Sequence, residues 1–274
     1  MNSIDIESKK FLGQPKNFVS IFNALLFDGQ PVLKPEYLKD ENSELVMNVS
    51  SKHVDIIKRY EDGTYLDLFV IESQSYVDQC MVARVMEYES VARMRYIRQN
   101  FKKHVPMHTR LPMILTVVLY VGESKWNAAK RLSELEIIHP GFEDMFNEFK
   151  LNLIELNTNH KYNTGEKATQ DFFDLLRMIY RKQILKENLD REFNRDALYF
   201  AYVVTKNKEL LNIYQESEKG DVKVCRALDE MFEESTNKGI QMGIKHSIAL
   251  NQFEVYQTML DKGFNVKLSH QSLQ

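Results

Sequence analysis

The sequence predicts a mixed α/β protein: a central sheet flanked by helices, followed by an all-helical C-terminal appendage. Three observations predict it. Residues His53 to Ser75 hold two runs of β-formers, Val54-Asp55-Ile56-Ile57 and Tyr65 to Ile71, about Asp62-Gly63, a strong hairpin signal because Gly accepts the positive φ of a tight turn. Pro112 to Val121 is almost wholly apolar and β-branched, the pattern of a strand covered on both faces. Beyond Lys167 the chain turns to helical spacing and stays there.

The elements follow in order. Asn17 to Phe27 spaces Phe18, Ile21, Phe22, Leu25 and Leu26 as one helical face, closed by Asp28-Gly29 and Pro31. Pro35 to Ser43 is polar and predicts a loop, and Leu45 to Val49 a short strand leading into the hairpin. Val77 to Lys103 predicts a long helix with Met81, Val85, Tyr88, Ala92 and Tyr96 on its apolar side. After the central strand, Trp126 packs its loop on the core, Asn127 to Leu135 and Phe142 to Phe149 are expected to be helical, and Leu151 to Leu156 closes the sheet. There Glu155 could approach the site, although solvent is the commoner place for a Glu at a strand end. The polar stretch Asn157 to Lys167 sets a boundary between domains at 1–160 and 161–274. Helices are then expected over Ala168 to Ile184, Arg191 to Tyr214 and Val222 to His246, the last carrying Gly239 and Gly243, whose cost inside a helix points to close packing or a kink.

The hairpin carries the chemistry. Centring its turn between Asp62 and Gly63 sets Asp55 opposite Val70; centring it between Gly63 and Thr64 sets Asp55 opposite Glu72. In both registers Asp55, Glu72 and Gln74 share one face. Opposed Cβ atoms lie about 5 Å apart, so two carboxylates in an apolar ribbon need a counter-charge, and a divalent cation is the natural one. The bland reading is a charge pair that protects an edge strand. The apolar run Leu68 to Ile71 before Glu72 opposes it, because a buried unpaired carboxylate is costly.

Glu72-Ser73-Gln74 after Asp55 resembles the PD-(D/E)XK nuclease superfamily, with E-x-Q where the wider superfamily has E-x-K. Met81 to Tyr88 after it, Phe18 to Glu36 (F-V-S-I-F-N-A-L-L-F-D-G-Q-P-V-L-K-P-E), Leu111 to Trp126 and Val224 to Gly243 together resemble the recombination-promoting nuclease / putative transposase branch, over nearly the whole chain. The resemblance implies a restriction-endonuclease-like core and Mg²⁺-dependent (or Mn²⁺-dependent) hydrolysis of DNA phosphodiesters. It implies metal on Asp55, Glu72 and the Ser73 carbonyl, with Gln74 positioning the attacking water. Gln cannot take that water's proton as an amine could, so another acceptor is required.

Other residues surround this set. Asn23 could lend a polar group from the first helix, though a surface role is the commoner one for Asn. His53 shares the parity of Asp55 and could meet metal or phosphate, or be structural. Arg84 could hold the scissile phosphate or pair with Asp78 or Glu87. Arg93, Arg95, Arg98, Lys102 and Lys103 could follow a phosphate backbone or form an ordinary solvated face.

Net charge of −3 over 274 residues means that any DNA-binding face must come from such local clustering. Two cysteines fit a reducing cytoplasm rather than a disulfide framework, and no segment has the length of a membrane span. The helical appendage is a candidate for homodimer formation. The competing function is a non-catalytic DNA-binding or partner-binding remnant of a mobile-element protein. An RNase is a third, although no aromatic and basic RNA platform stands out.

Overall fold

In a computed structural model, residues 3–41, 56–63, 66–183, 191–217 and 220–262 are described. Five strands form one sheet in the order β1 (Leu38–Asp40), β2 (Ile56–Glu61), β3 (Leu66–Gln74), β4 (Met113–Tyr120), β5 (Asn152–Glu155). β1–β2 and β2–β3 are antiparallel, and β3–β4 and β4–β5 are parallel. This is the mixed sheet that the sequence predicts. β3 and β4 lie at its centre, which is why their sequences read as apolar runs.

The alternation of β3 assigns its two faces. Phe69 turns toward α2 (Pro15–Phe27), with its ring centroid 4.7 Å from that of Phe22. Leu68 and Val70 pack with Tyr88 and Ala92 of α3 (Met81–Asn100), together with Ile57 and Ile114. Glu72 and Gln74 continue the second face by period two, so both lie on the α3 side of the sheet.

Several elements differ from the sequence reading. Residues 35–40, expected as loop, form a single 3-10 turn and the edge strand β1. Its polar residues are explained by cross-strand pairs, Lys58 with Asp40 at 2.6 Å and Lys39 with Glu61; charged, short edges resist further pairing. The strand expected at Leu45 to Val49 lies outside the described residues. The helices expected over 127–135 and 142–149 are 3-10 turns only, Leu132–Glu134 and Glu143–Met145. Trp126 and Leu132 are drawn instead into a buried cluster with Tyr120 and Val118, and so short a helix is only marginally stable by itself. Trp126 does pack its loop on the core: Nε1 donates to the Ala128 carbonyl at 3.0 Å. An additional helix, α1 (Ser3–Leu12), precedes α2.

α4 (Lys167–Arg181) lies against α2, where Ser20 Oγ and Thr169 Oγ1 meet at 2.8 Å. The single helix expected over 191–214 is broken. A two-residue strand, β6 (Glu192–Phe193), precedes α5 (Arg195–Thr205), and α6 (Lys208–Glu216) follows. The cause is capping. The Asn194 side chain accepts from the N–H groups of Asp196 and Ala197, Asn207 accepts from Glu209, and Lys206 between the two helices has φ 56°. β7 (Val222–Lys223) pairs with β6.

The chain divides into two units, 1–225 and 226–274. The second consists, in its described part, of nearly all of α7 (Cys225–Asp261), a helix that runs straight through Gly239 and Gly243. No helix among the described residues is long and apolar enough to cross a membrane.

Candidate active site

The site is built on the last three residues of β3. Glu72 and Gln74 are 3 % and 4 % exposed. Gln74 Nε2 donates to Glu72 Oε1 at 3.1 Å, a contact that follows from i, i+2 spacing on one strand face. Gln74 Oε1 is buried with no hydrogen-bond donor among the described residues.

Arg84 approaches from the first turns of α3. Its Nη2 donates to the same Glu72 Oε1 at 3.1 Å and to the Tyr88 hydroxyl at 2.8 Å, Nε donates to Tyr88 at 3.2 Å, and Nη1 pairs with Asp78. Helical spacing explains the Tyr88 contact, since residues four apart share a face. Burial works against the charge on Arg84, yet the bonds to Asp78 and Tyr88 and the charge of Glu72 hold its pKa above the ordinary value. It therefore stays a cation beside Glu72. Burial raises the Tyr88 hydroxyl too, helped by Glu72, with Arg84 opposing. Of the roles open to Arg84 in the sequence, the structure displays the pair with Asp78. Tyr88, which reads in sequence only as an apolar-face residue, is its second anchor.

Asp55 and His53 lie outside the described residues. What is described is the ladder beside them: Ile56 opposes Ile71 and Ile57 opposes Val70. Over the described residues this is the register of the second turn centre considered in the sequence.

Two expectations need correction. Asn23 is not on the surface: it is buried, and it exchanges two hydrogen bonds of 2.9 Å with the backbone of Leu33, which fixes the loop after α2. Glu155 is buried rather than solvated and pairs with Lys130. Among the five candidate phosphate cations, Arg93 and Arg95 are half-buried on α3, Arg98 is exposed there, and Lys102 and Lys103 are exposed in the loop beyond it, since the helix stops at Asn100.

Glu89 went unnoticed in the sequence. It is buried on the inner side of α3, and its Oε1 accepts from the Thr116 N–H of β4 at 3.0 Å. Burial raises its pKa, with the Thr116 bonds and Arg93 opposing. The available signal was an acidic residue next to Tyr88 and three before Ala92, inside the apolar stripe.

The described donor set suits a hard cation. A carboxylate, a backbone carbonyl at Ser73 and a buried amide oxygen with no donor are all oxygen ligands. No group of three or more His, Cys, Asp or Glu that could hold a metal is found among the described residues, a set that omits Asp55.

A family model described as "Putative transposase, YhgA-like" matches residues 36–209 of the chain. No curated protein and no solved structure gives a match.

Proposed function

The chain belongs to the YhgA-like putative transposase family, a PD-(D/E)XK-like group, and on that basis we propose that it is a Mg²⁺-dependent DNA endonuclease. The observation that carries this reading is the pair Glu72 and Gln74, buried on one face of a central strand, beside a ladder in which Ile56 opposes Ile71. We propose that this ladder continues one residue further, so that Asp55 opposes Glu72 and both carboxylates hold Mg²⁺ or Mn²⁺, with the Ser73 carbonyl as a further ligand.

Such an ion, when bound, would acidify a coordinated water and shield the charge of the scissile phosphate. The chain's own residues do the rest. Arg84 keeps Glu72 in place and adds fixed positive charge. Gln74, tied to Glu72 through Nε2, presents Oε1 as an acceptor that orients the attacking water. The water oxygen forms the new bond to phosphorus while the bond to the leaving sugar oxygen breaks. Gln74 remains neutral throughout, so the proton goes to solvent or to a phosphate oxygen. Arg93, Arg95, Arg98, Lys102 and Lys103 would hold the backbone of the DNA.

A homodimer through α7 belongs to the same reading. Ile240, Ile244 and Ile248 recur at four-residue spacing and are each more than half exposed. Gly239 and Gly243 have open space where a Cβ would lie, although each costs the helix about 1 kcal/mol. A DNA substrate and a chain with two cysteines accord with the cytoplasm.

The test is Mg²⁺-dependent nicking of supercoiled plasmid. Wild type is expected to nick, and Asp55→Ala and Glu72→Ala to be slower by about a hundredfold, roughly 2.7 kcal/mol of barrier. Equal cleavage by all three proteins removes the assignment. DNA binding without cleavage by any of them favours the remnant.

A further inference from the structure

A cleft of about 760 Å³ lies at the other end of β3 from Glu72, where α2 ends and β4 begins. Its volume is in the range of ligand sites. Phe27 and Tyr96 line it with rings that are each partly open, Phe69 forms part of its buried wall, and Met113 lies exposed beside them. Two charged residues share this apolar lining, Asp67 and Arg110. Asp67 Oδ1 accepts the Met113 N–H at 3.2 Å, which fixes the carboxylate. Burial raises its pKa, with the Met113 bond opposing, as expected beside a poorly hydrated surface.

The segment that supplies Tyr96 and Arg110 is strongly cationic in sequence. From Ser90 to Gly122 there is no Asp or Glu, while Arg93, Arg95, Arg98, Lys102, Lys103 and Arg110 all fall there. Tyr96 stands within this run and Arg110 ends it. An anionic chain held at Arg110 meets a cleft with aromatic walls and one carboxylate. An acidic peptide would set its carboxylates against Asp67. A nucleotide strand has phosphates for the cations, a flat apolar ring for the aromatics, and N–H groups on the base edge for Asp67; guanine has two of them, at N1 and N2.

We propose that this cleft binds an unpaired base of the DNA strand, so that the substrate is DNA with an unpaired or extruded nucleotide rather than perfect duplex. Asp67 lies five residue steps before Glu72 on β3, about 17 Å at strand rise, and by period two its side chain leaves the opposite face of the sheet. The inference rests on the DNA-cleaving reading and adds a position of base recognition separate from the cut.

It is tested by binding, without chemistry. Fluorescence anisotropy of the full chain in EDTA compares a labelled 20-base-pair duplex with the same duplex carrying one unpaired guanine. Wild type is expected to prefer the bulged probe about tenfold, as stacking of one base allows. Asp67→Asn, which keeps an acceptor for Met113, and Tyr96→Ala, at a half-exposed position, are expected to cut that preference below twofold while leaving duplex affinity unchanged. Equal wild-type affinity for the two probes overturns the proposal, as does a preference that both variants retain. Competition by free deoxyguanosine monophosphate at the same concentration as the bulged probe also overturns it, because the cleft is then a site for soluble nucleotides. Loss of plasmid nicking with the bulge preference intact would count against the cutting site alone.

Discussion

Two sets of buried carboxylates lie in the first unit, and their surroundings differ. On α4, Asp171 and Asp174 are enclosed by cations and donors from the chain. Arg191 reaches both, with 2.7 Å to Asp174. Lys167 reaches Asp171 at 2.8 Å, the Asn194 N–H meets it at 2.6 Å, and Gln170 donates to Asp174 at 3.2 Å. At the end of β3, Glu72 takes Gln74 and Arg84 on a single oxygen, and that Arg84 is shared with Asp78 and Tyr88. The first set joins α4 to the start of α5 and is structural. The second is a carboxylate at a strand end, next to an amide oxygen with no donor among the described residues, and it is there that the proposed cation would sit. Burial alone therefore does not mark a site; what marks this one is a buried polar atom beside the carboxylate, Gln74 Oε1, that the described residues leave without a donor.

The widest separation between the two is in stability. Asp171→Ala removes the fully buried carboxylate that Arg191 and Lys167 share, leaving them Asp174 and Asp221, and is expected to lower unfolding stability by about 3 kcal/mol, read from urea denaturation. A loss below about 1 kcal/mol would make the α4 set dispensable and weaken the contrast. Arg84→Gln is expected to cost about 1 kcal/mol or a little more, because the group is only partly buried. It should also tighten Mn²⁺ binding severalfold, since a competitor for Glu72 Oε1 has gone. Weaker Mn²⁺ binding in this variant would recast Arg84 as a support for the ion.

A smaller effect is expected at Glu89, another buried carboxylate. With its pKa raised in the fold, it stabilises the protein while protonated, below the unfolded carboxylate value. That contribution is lost as pH rises through the folded value. Urea midpoints of Glu89→Gln, taken between roughly pH 4 and pH 8, should fall less with rising pH than those of wild type. Parallel curves would show that Glu89 does not titrate differently in the folded state. Least of all should Ile244→Glu change the fold: it is expected to shift sedimentation from dimer to monomer with little change in unfolding.

The sheet was legible in the sequence because its signals are strong and local. Asp62-Gly63 fixes the hairpin, and the apolar runs of β3 and β4 mark the centre. Glu72 and Gln74 were legible for the same reason: period two puts them on one face whatever the register. Residues 127–149 were misread because Leu132, Phe146 and Phe149 have helical spacing but are used one at a time, to close a cluster around Tyr120 and Trp126. Asn23 and Glu155 were misread because burial of a polar residue depends on a distant partner, the Leu33 backbone or Lys130, that no local pattern contains. The break between α5 and α6 was available in principle, since Asn194 and Asn207 are good caps, but the apolar periodicity on either side hid it.

Titration calorimetry with Mn²⁺ tests the central claim most directly. One ion per chain is expected on wild type, and none on either Asp55→Asn or Glu72→Gln, each of which keeps the size of the side chain and removes its charge. Binding that survives in both variants, or no binding to wild type, would contradict a shared ion between these two carboxylates.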